Sequence, residues 1–250
     1  MNFAALLLAL LTAAPAFSQS AVNPASAAKA RELLDQAVAA LGGDAFKNVE
    51  TSRLDGRVYA FRRGGLSGLA QVVQYIRYPD KTREEYGEKK EEIHIYNGDM
   101  GWTIDINGVK PVPEGEMKTR KESASMRAFY VLRYRLGEEG SLVEYGGREF
   151  WENREVEVVR FVDRDNRVLT FWLDISTKLP VRTIWVHRDP QTRERIEEIE
   201  TFANYFTRNG ISTPRRVMRV RNGTRVFEAV IREAQYNIPH PDSLFQPPPG

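Results

Sequence analysis

The chain has 250 residues, of which 36 are Lys or Arg and 34 are Asp or Glu, so its formal net charge is only +2. Charge this balanced supports solubility and leaves no polyanion footprint, which argues against nucleic acid as a partner. There is no cysteine, which excludes disulfides, a thiol nucleophile, thiolate metal sites and a lipid-anchored cysteine.

Residues 2–18 form a short apolar core followed by small residues, with Ala14-Pro15-Ala16 or Ala16-Phe17-Ser18 fitting a cleavage site. The stretch is too short to span a bilayer and reads as an export signal over residues 1–18, although no Lys or Arg follows Met1. Export without an anchor predicts a soluble periplasmic protein. Residues 19–28 are polar and Ala-rich and are expected to be disordered. Ala30, Leu33, Leu34, Ala37, Val38 and Leu41 then recur at helical spacing until Gly42-Gly43, which predicts an amphipathic helix packed on one apolar stripe.

From Thr51 the period becomes two. Leu54, Val58 and Ala60 share one face of a first strand, opposite Arg53, Asp55 and Arg57. Turns at Gly64-Gly65 and Pro79-Asp80 bound the next two strands. Ile93 and Ile95 alternate with Glu92, His94 and Tyr96, and Asn97-Gly98 turns the chain towards Trp102, Ile104 and Ile106. One wetted and one buried face per strand indicates an antiparallel sheet.

Pro111, Pro113 and Gly115 interrupt this rhythm and lead into residues 117–136, where Met126, Phe129, Tyr130 and Arg133 fall near one helical stripe. A helix between two runs of strands fits a lid across a sheet mouth and a permanently packed helix equally well. Strands resume after Gly146-Gly147. Residues 193–206 match both periods; hairpin turns on either side favour a strand. Arg215, Arg219 and Arg221 share a strand face, with Glu228 and Glu233 on the following strand as candidate partners. The last segment, residues 237–248, carries several prolines and the Leu244/Phe245 pair, so it cannot continue a sheet and is expected to fold back and plug one.

Four features resemble the LolA-like superfamily of periplasmic lipoprotein carriers. They are Tyr96-Asn97-Gly98-Asp99-Met100-Gly101-Trp102; Trp172-Leu173-Asp174 followed by Leu179-Pro180-Val181-Arg182; Gly210-Ile211-Ser212-Thr213-Pro214-Arg215; and Leu244-Phe245-Gln246-Pro247-Pro248. The resemblance implies a mainly β (α+β) fold in a single domain over residues 29–250. That fold is a curved antiparallel sheet forming a half-open β-barrel, with an N-terminal helix and a helical lid. It also implies a non-catalytic carrier that binds acyl chains of a lipid or lipoprotein in an apolar cavity for transfer towards the outer membrane. An inner-membrane transporter and an outer-membrane acceptor would be its partners, and it would act as a monomer without a cofactor. The same fold used as a periplasmic sensing or protein-interaction module is the alternative.

The expected cavity lining is Val58, Ile93, Ile95, Trp102, Val158, Phe171, Leu173 and Ile184, with Met126, Phe129 and Tyr130 from the lid; an ordinary core position competes for each. The family's lid-latching arginine directly precedes a proline. Here Tyr78 precedes Pro79 and Arg77 lies one residue back, an offset that reverses the face of a side chain in a strand. Arg77 as a latch therefore requires a bulge. The histidines His94, His187 and His240 lie in separate elements without metal-ligand spacing. The acidic pairs sit at turns or on charge-rich strands, and Ser67 lacks the spacing of a nucleophile elbow. Nothing here argues for an enzyme.

Overall fold

A computed structural model describes residues 23–189 and 192–248; the expected export signal lies outside them. Thirteen antiparallel strands form one sheet. They are β1 (Thr51–Arg62), β2 (Gly65–Arg77), β3 (Lys81–Tyr86), β4 (Glu92–Asn97), β5 (Met100–Asp105), β6 (Gly108–Pro111), β7 (Leu142–Trp151), β8 (Arg154–Val162), β9 (Val168–Asp174), β10 (Pro180–Arg188), β11 (Arg195–Arg208), β12 (Ile211–Arg221) and β13 (Thr224–Tyr236). Their spatial order is β6-β5-β4-β3-β2-β1-β13-β12-β11-β10-β9-β8-β7. Every neighbour but one follows in sequence, and the exception, β1 against β13, joins the two halves. β6 and β7 are left as free edges, so the sheet curves into an open half-barrel.

Tight turns give this meander its register. Asn209-Gly210 and Asn222-Gly223 both hold positive φ at two successive residues, the conformation whose twist matches a hairpin and which Asn and Gly adopt at least cost. The segment that matched both periods is β11, a strand, because hairpins tie it to β10 and β12. At Gly56 the β1–β13 register shifts, and a Cβ there would collide with the Val230 carbonyl. The central seam thus needs a glycine where the two halves meet.

The first helix, α1 (Pro24–Leu41), starts earlier than its apolar stripe indicates. Asn23 accepts a hydrogen bond from the Ala25 N–H at 3.0 Å, and Pro24 occupies the first turn, where its missing N–H is harmless. Residues 24–28, expected to be disordered, are therefore helical. Gly42 ends the helix at φ 128°, and a Cβ on it would approach the Gly210 carbonyl oxygen to 2.5 Å. The helix buries Ala30, Leu33, Leu34, Ala37, Val38 and Leu41 against β7, β8 and β12. Each fully buried leucine stabilises by about 1.5–3 kcal/mol. A short helix, α2 (Asp44–Lys47), follows and buries Phe46.

Residues 114–136 do not form one continuous helix. They make α3 (Glu114–Ser125), then α4 (Ala128–Tyr130), which runs into a π-helical turn (Val131–Arg135). The break falls at Arg127, whose backbone is extended at φ −77° and ψ 142°. The main core lies between α1, this bent segment and the inner face of β8–β12, with Phe161, Phe171, Leu169, Leu34, Val131 and Leu132 at its centre.

Candidate functional site: a lidded cleft with an unlike pair of walls

A cleft of about 1120 Å³ opens along the inner face of the sheet, roofed by α3 and α4. Its floor is apolar where β1, β2, β12 and β13 meet, through Leu54, Ile76, Val217, Phe227, Ala229 and Ile231. Phe129 extends this surface from the roof, its ring 5.1 Å from Phe202 and 6.5 Å from Phe46 in edge-on contacts.

The two ends of the roof are tied down by charge. From the break at Arg127, one guanidinium nitrogen donates to Glu200 Oε1 at 2.8 Å and the other lies 3.3 Å from Glu198 Oε2. Arg219 donates to Glu200 and Arg221 to Glu198, each from the neighbouring strand β12. Burial works against the Glu198 charge, but Arg127 and Arg221 outweigh it and hold its pKa below the ordinary glutamate value. Arg219 and Arg221 thus pair inward with β11, whereas Arg215 donates to the Ile231 and Arg232 carbonyls of β13, both at 3.4 Å. The β13 residue Glu228 instead takes Arg216, at 2.9 Å. At the other end Arg120 of α3 stacks over the Tyr96 ring, 3.4 Å from its centroid, and lies 3.8 Å from Glu84 Oε1. Glu84 also accepts from Gln74 at 2.9 Å and from the Tyr86 hydroxyl at 2.8 Å; burial and that carboxylate push the Tyr86 pKa up.

Of the residues expected to line the cavity, Phe129 does so. Val58 pairs with Ala229, a lining residue, and shares its face. Phe171 and Leu173 face inward but belong to the main buried core, as does Met126. Tyr130 packs on Tyr134, ring centroids 5.0 Å apart. Val158 and Ile184 lie on the outer face, in a separate small cluster with Val156, Trp172 and Val181.

Ile93, Ile95 and Trp102 also lie on the outer face. Register pairs Ile95 with Arg83 and Trp102, while Tyr96 and Glu84 point into the cleft. Ile95 is nonetheless fully buried, because the C-terminal segment crosses there and ends in a 3₁₀ turn (Asp242–Phe245) against β3 and β4. Arg83 donates to the Leu244 carbonyl and Asn97 to that of Phe245, both at 3.3 Å.

Arg77 belongs to this outer system and not to the lid: it bonds Asp242 and the His240 carbonyl and sits over the Phe245 ring. No bulge shifts β2 there, so the residue that lines the cleft is Tyr78. Sequence reasoning missed the lid contact at Arg127, and the usable signal was the inward pair Glu198/Glu200, two residues apart on a strand. Among the described residues no cluster of three His, Cys, Asp or Glu is placed to hold a metal ion.

The chain thus forms an open half-barrel with a helical roof over an amphipathic cleft. No family description and no curated protein matches the sequence, but solved structures share the architecture. A DUF1329 family protein from Desulfovibrio piger superposes with a TM-score of 0.62 at 12% identity, over 88% of this chain and 97% of that one. An outer membrane lipoprotein-sorting protein domain from Vibrio parahaemolyticus gives 0.59 at 14% identity, over 88% and 97%. A LolA superfamily protein from Nitrosomonas europaea gives 0.55 at 11% identity, over 87% and 97%. At such identities the likeness is one of fold, and the fold is LolA-like.

Proposed function

We propose that this protein is a periplasmic, non-catalytic carrier that holds an acyl chain of a lipid or lipoprotein in the cleft for transfer towards the outer membrane. The observation that carries this reading is the continuous apolar strip from Phe202 and Phe129 to Val217, Ala229 and Ile231 inside a cleft of about 1120 Å³. Each methylene removed from water contributes about 0.8 kcal/mol, so ten supply about 8 kcal/mol before the cost of association, without any directional contact. The Arg127 contact with Glu198 and Glu200 lets the roof close over the strip when the cleft is empty and part from it at a donor. An export signal over residues 1–18 would deliver the chain to that compartment. None of the described helices is long and apolar enough to cross a membrane.

The test is native mass spectrometry on protein exported to the periplasm and purified without detergent, with identification of any bound lipid. An acyl-containing adduct that disappears in Phe129→Asp and Phe227→Asp supports the carrier. Folded protein that stays free of ligand when offered lipids and acylated peptide overturns it.

A further inference from the structure

Five arginines line the cleft: Arg120, Arg127, Arg133, Arg219 and Arg221. Four have a carboxylate within 4.0 Å. Arg133 has none among the described residues. Its guanidinium carbon lies 4.5 Å from the ring centroid of Phe46, 4.3 Å from that of Tyr78 and 5.8 Å from that of Tyr134. Its Nε is enclosed and has no hydrogen-bond partner.

Arg133 as a whole is half-buried, and ring faces compensate a partly desolvated cation only in part, so its terminal nitrogens are left to take an anion from the cleft. The residue sits on the π-helical turn at Val131–Arg135, an irregularity that recurs at functional positions. Two phenols share its end of the cleft. The Tyr78 hydroxyl is 3.3 Å from Ser52 Oγ, and the Tyr236 hydroxyl is 2.5 Å from Thr213 Oγ1. Both bonds are between hydroxyls, so either phenol can turn its proton towards an incoming anion. Burial raises the Tyr236 pKa to about 12, so it stays a donor at neutral pH.

We propose that Arg133, with Tyr78 and Tyr236, is the receiving site for the carboxylate or phosphate head of a single-headed anionic amphiphile. The inference rests on the acyl-chain reading of the cleft. Phe46 touches both Arg133 and Phe129, and Phe129 touches Phe202, so an unbroken aromatic path leads from the head site to the apolar strip. The planar guanidinium fork matches both oxyanions, and charge-assisted bonds are the strong ones in such a site.

The test is titration of the delipidated protein with three ligands of equal chain length: palmitate, a palmitoyl lysophosphatidate and monopalmitoylglycerol. Wild type is expected to bind at least one charged ligand about tenfold or more tighter than the neutral one, an ordinary worth for a charge-assisted pair. Preference for palmitate assigns a carboxylate head, and preference for the lysophosphatidate a phosphate head. In Arg133→Gln the charged-to-neutral ratio should fall to near one, and Arg133→Lys should restore part of it. Should Arg133→Gln fail to fold, Tyr236→Phe gives the second arm, with a smaller drop of about threefold in the same ratio. Equal binding of charged and neutral ligands by wild type, or a ratio that survives Arg133→Gln, overturns the head site and leaves the acyl reading standing. Binding of none of the three overturns both.

Discussion

The two wings of the sheet use opposite faces to build their cores. On β8–β12 the apolar residues Phe161, Phe171, Leu173 and Phe202 face inward, into the core they share with α1 and residues 126–132. On β2–β5 the inward face carries Gln74, Glu84, Tyr86 and Tyr96, while Ile95 packs outward beneath the C-terminal turn. A period of two reports which side chains share a face and is silent on which face becomes the interior. What decides is the covering element: a helix 18 residues long inside one wing, and a four-residue turn outside the other.

The largest expected effect separates the wings by stability. Phe171→Ala removes a fully buried ring from the main core and should cost about 3–5 kcal/mol in urea or thermal unfolding. Phe245→Ala removes an equally buried ring from the other wing, but there the tail can detach while the main core survives. Its cost should be about half as large, with amide exchange accelerated in β3, β4 and residues 238–246 before the strands β8–β12. An equal global loss in both variants would mean that the wings unfold as one unit and the contrast is only geometric.

A third experiment uses pH. Asp163 is buried, which opposes its ionisation. Bonds from the Arg167 backbone and side chain and from Arg135 outweigh this and hold its pKa below the ordinary value. A depressed folded pKa stabilises at pH above the unfolded value, about 3.9, and the benefit is lost as pH falls through the lower folded value. The melting temperature should therefore be flat with respect to this group from pH 7 to about 5 and drop below about 4. Asp163→Asn should be less stable at neutral pH by about 1–3 kcal/mol and show a shallower acid limb.

The smallest effect is expected at the roof. Arg127 is partly exposed, and Glu198 and Glu200 keep Arg221 and Arg219, so Arg127→Ala should cost only about 1 kcal/mol. Exchange in residues 114–130 should nevertheless quicken, and the Glu198 pKa measured by NMR should rise because one of its two close cations is gone. Unchanged exchange in the roof would remove Arg127 as its tether.

Much of the architecture is legible in local chemistry. The stripe from Ala30 to Leu41 shows α1, and the Asn-Gly pairs at Asn209 and Asn222 mark hairpins because few residues accept two positive φ values in succession. The offset of Arg77 from Pro79 foretells that its side chain leaves the cleft. The cleft wall was far less legible. Ile93, Ile95 and Trp102 read as lining because apolar alternation looks the same whichever side is covered, and Val158 and Ile184 for the same reason. Arg127 gives no local sign, since its partners Glu198 and Glu200 lie on a strand far along the chain, and the stripe that holds Arg133 does not show that Phe46 and Tyr78, distant in sequence, enclose it.

By itself the sequence determined most strands and turns, the apolar stripe of the first helix and which side chains travel together, since each is settled by residues a few positions apart. Only the tertiary structure decided which face is inside. That choice depends on α1 joining the core inside one wing and on the Asp242–Phe245 turn covering the outer face of the other, contacts between segments that no local period relates.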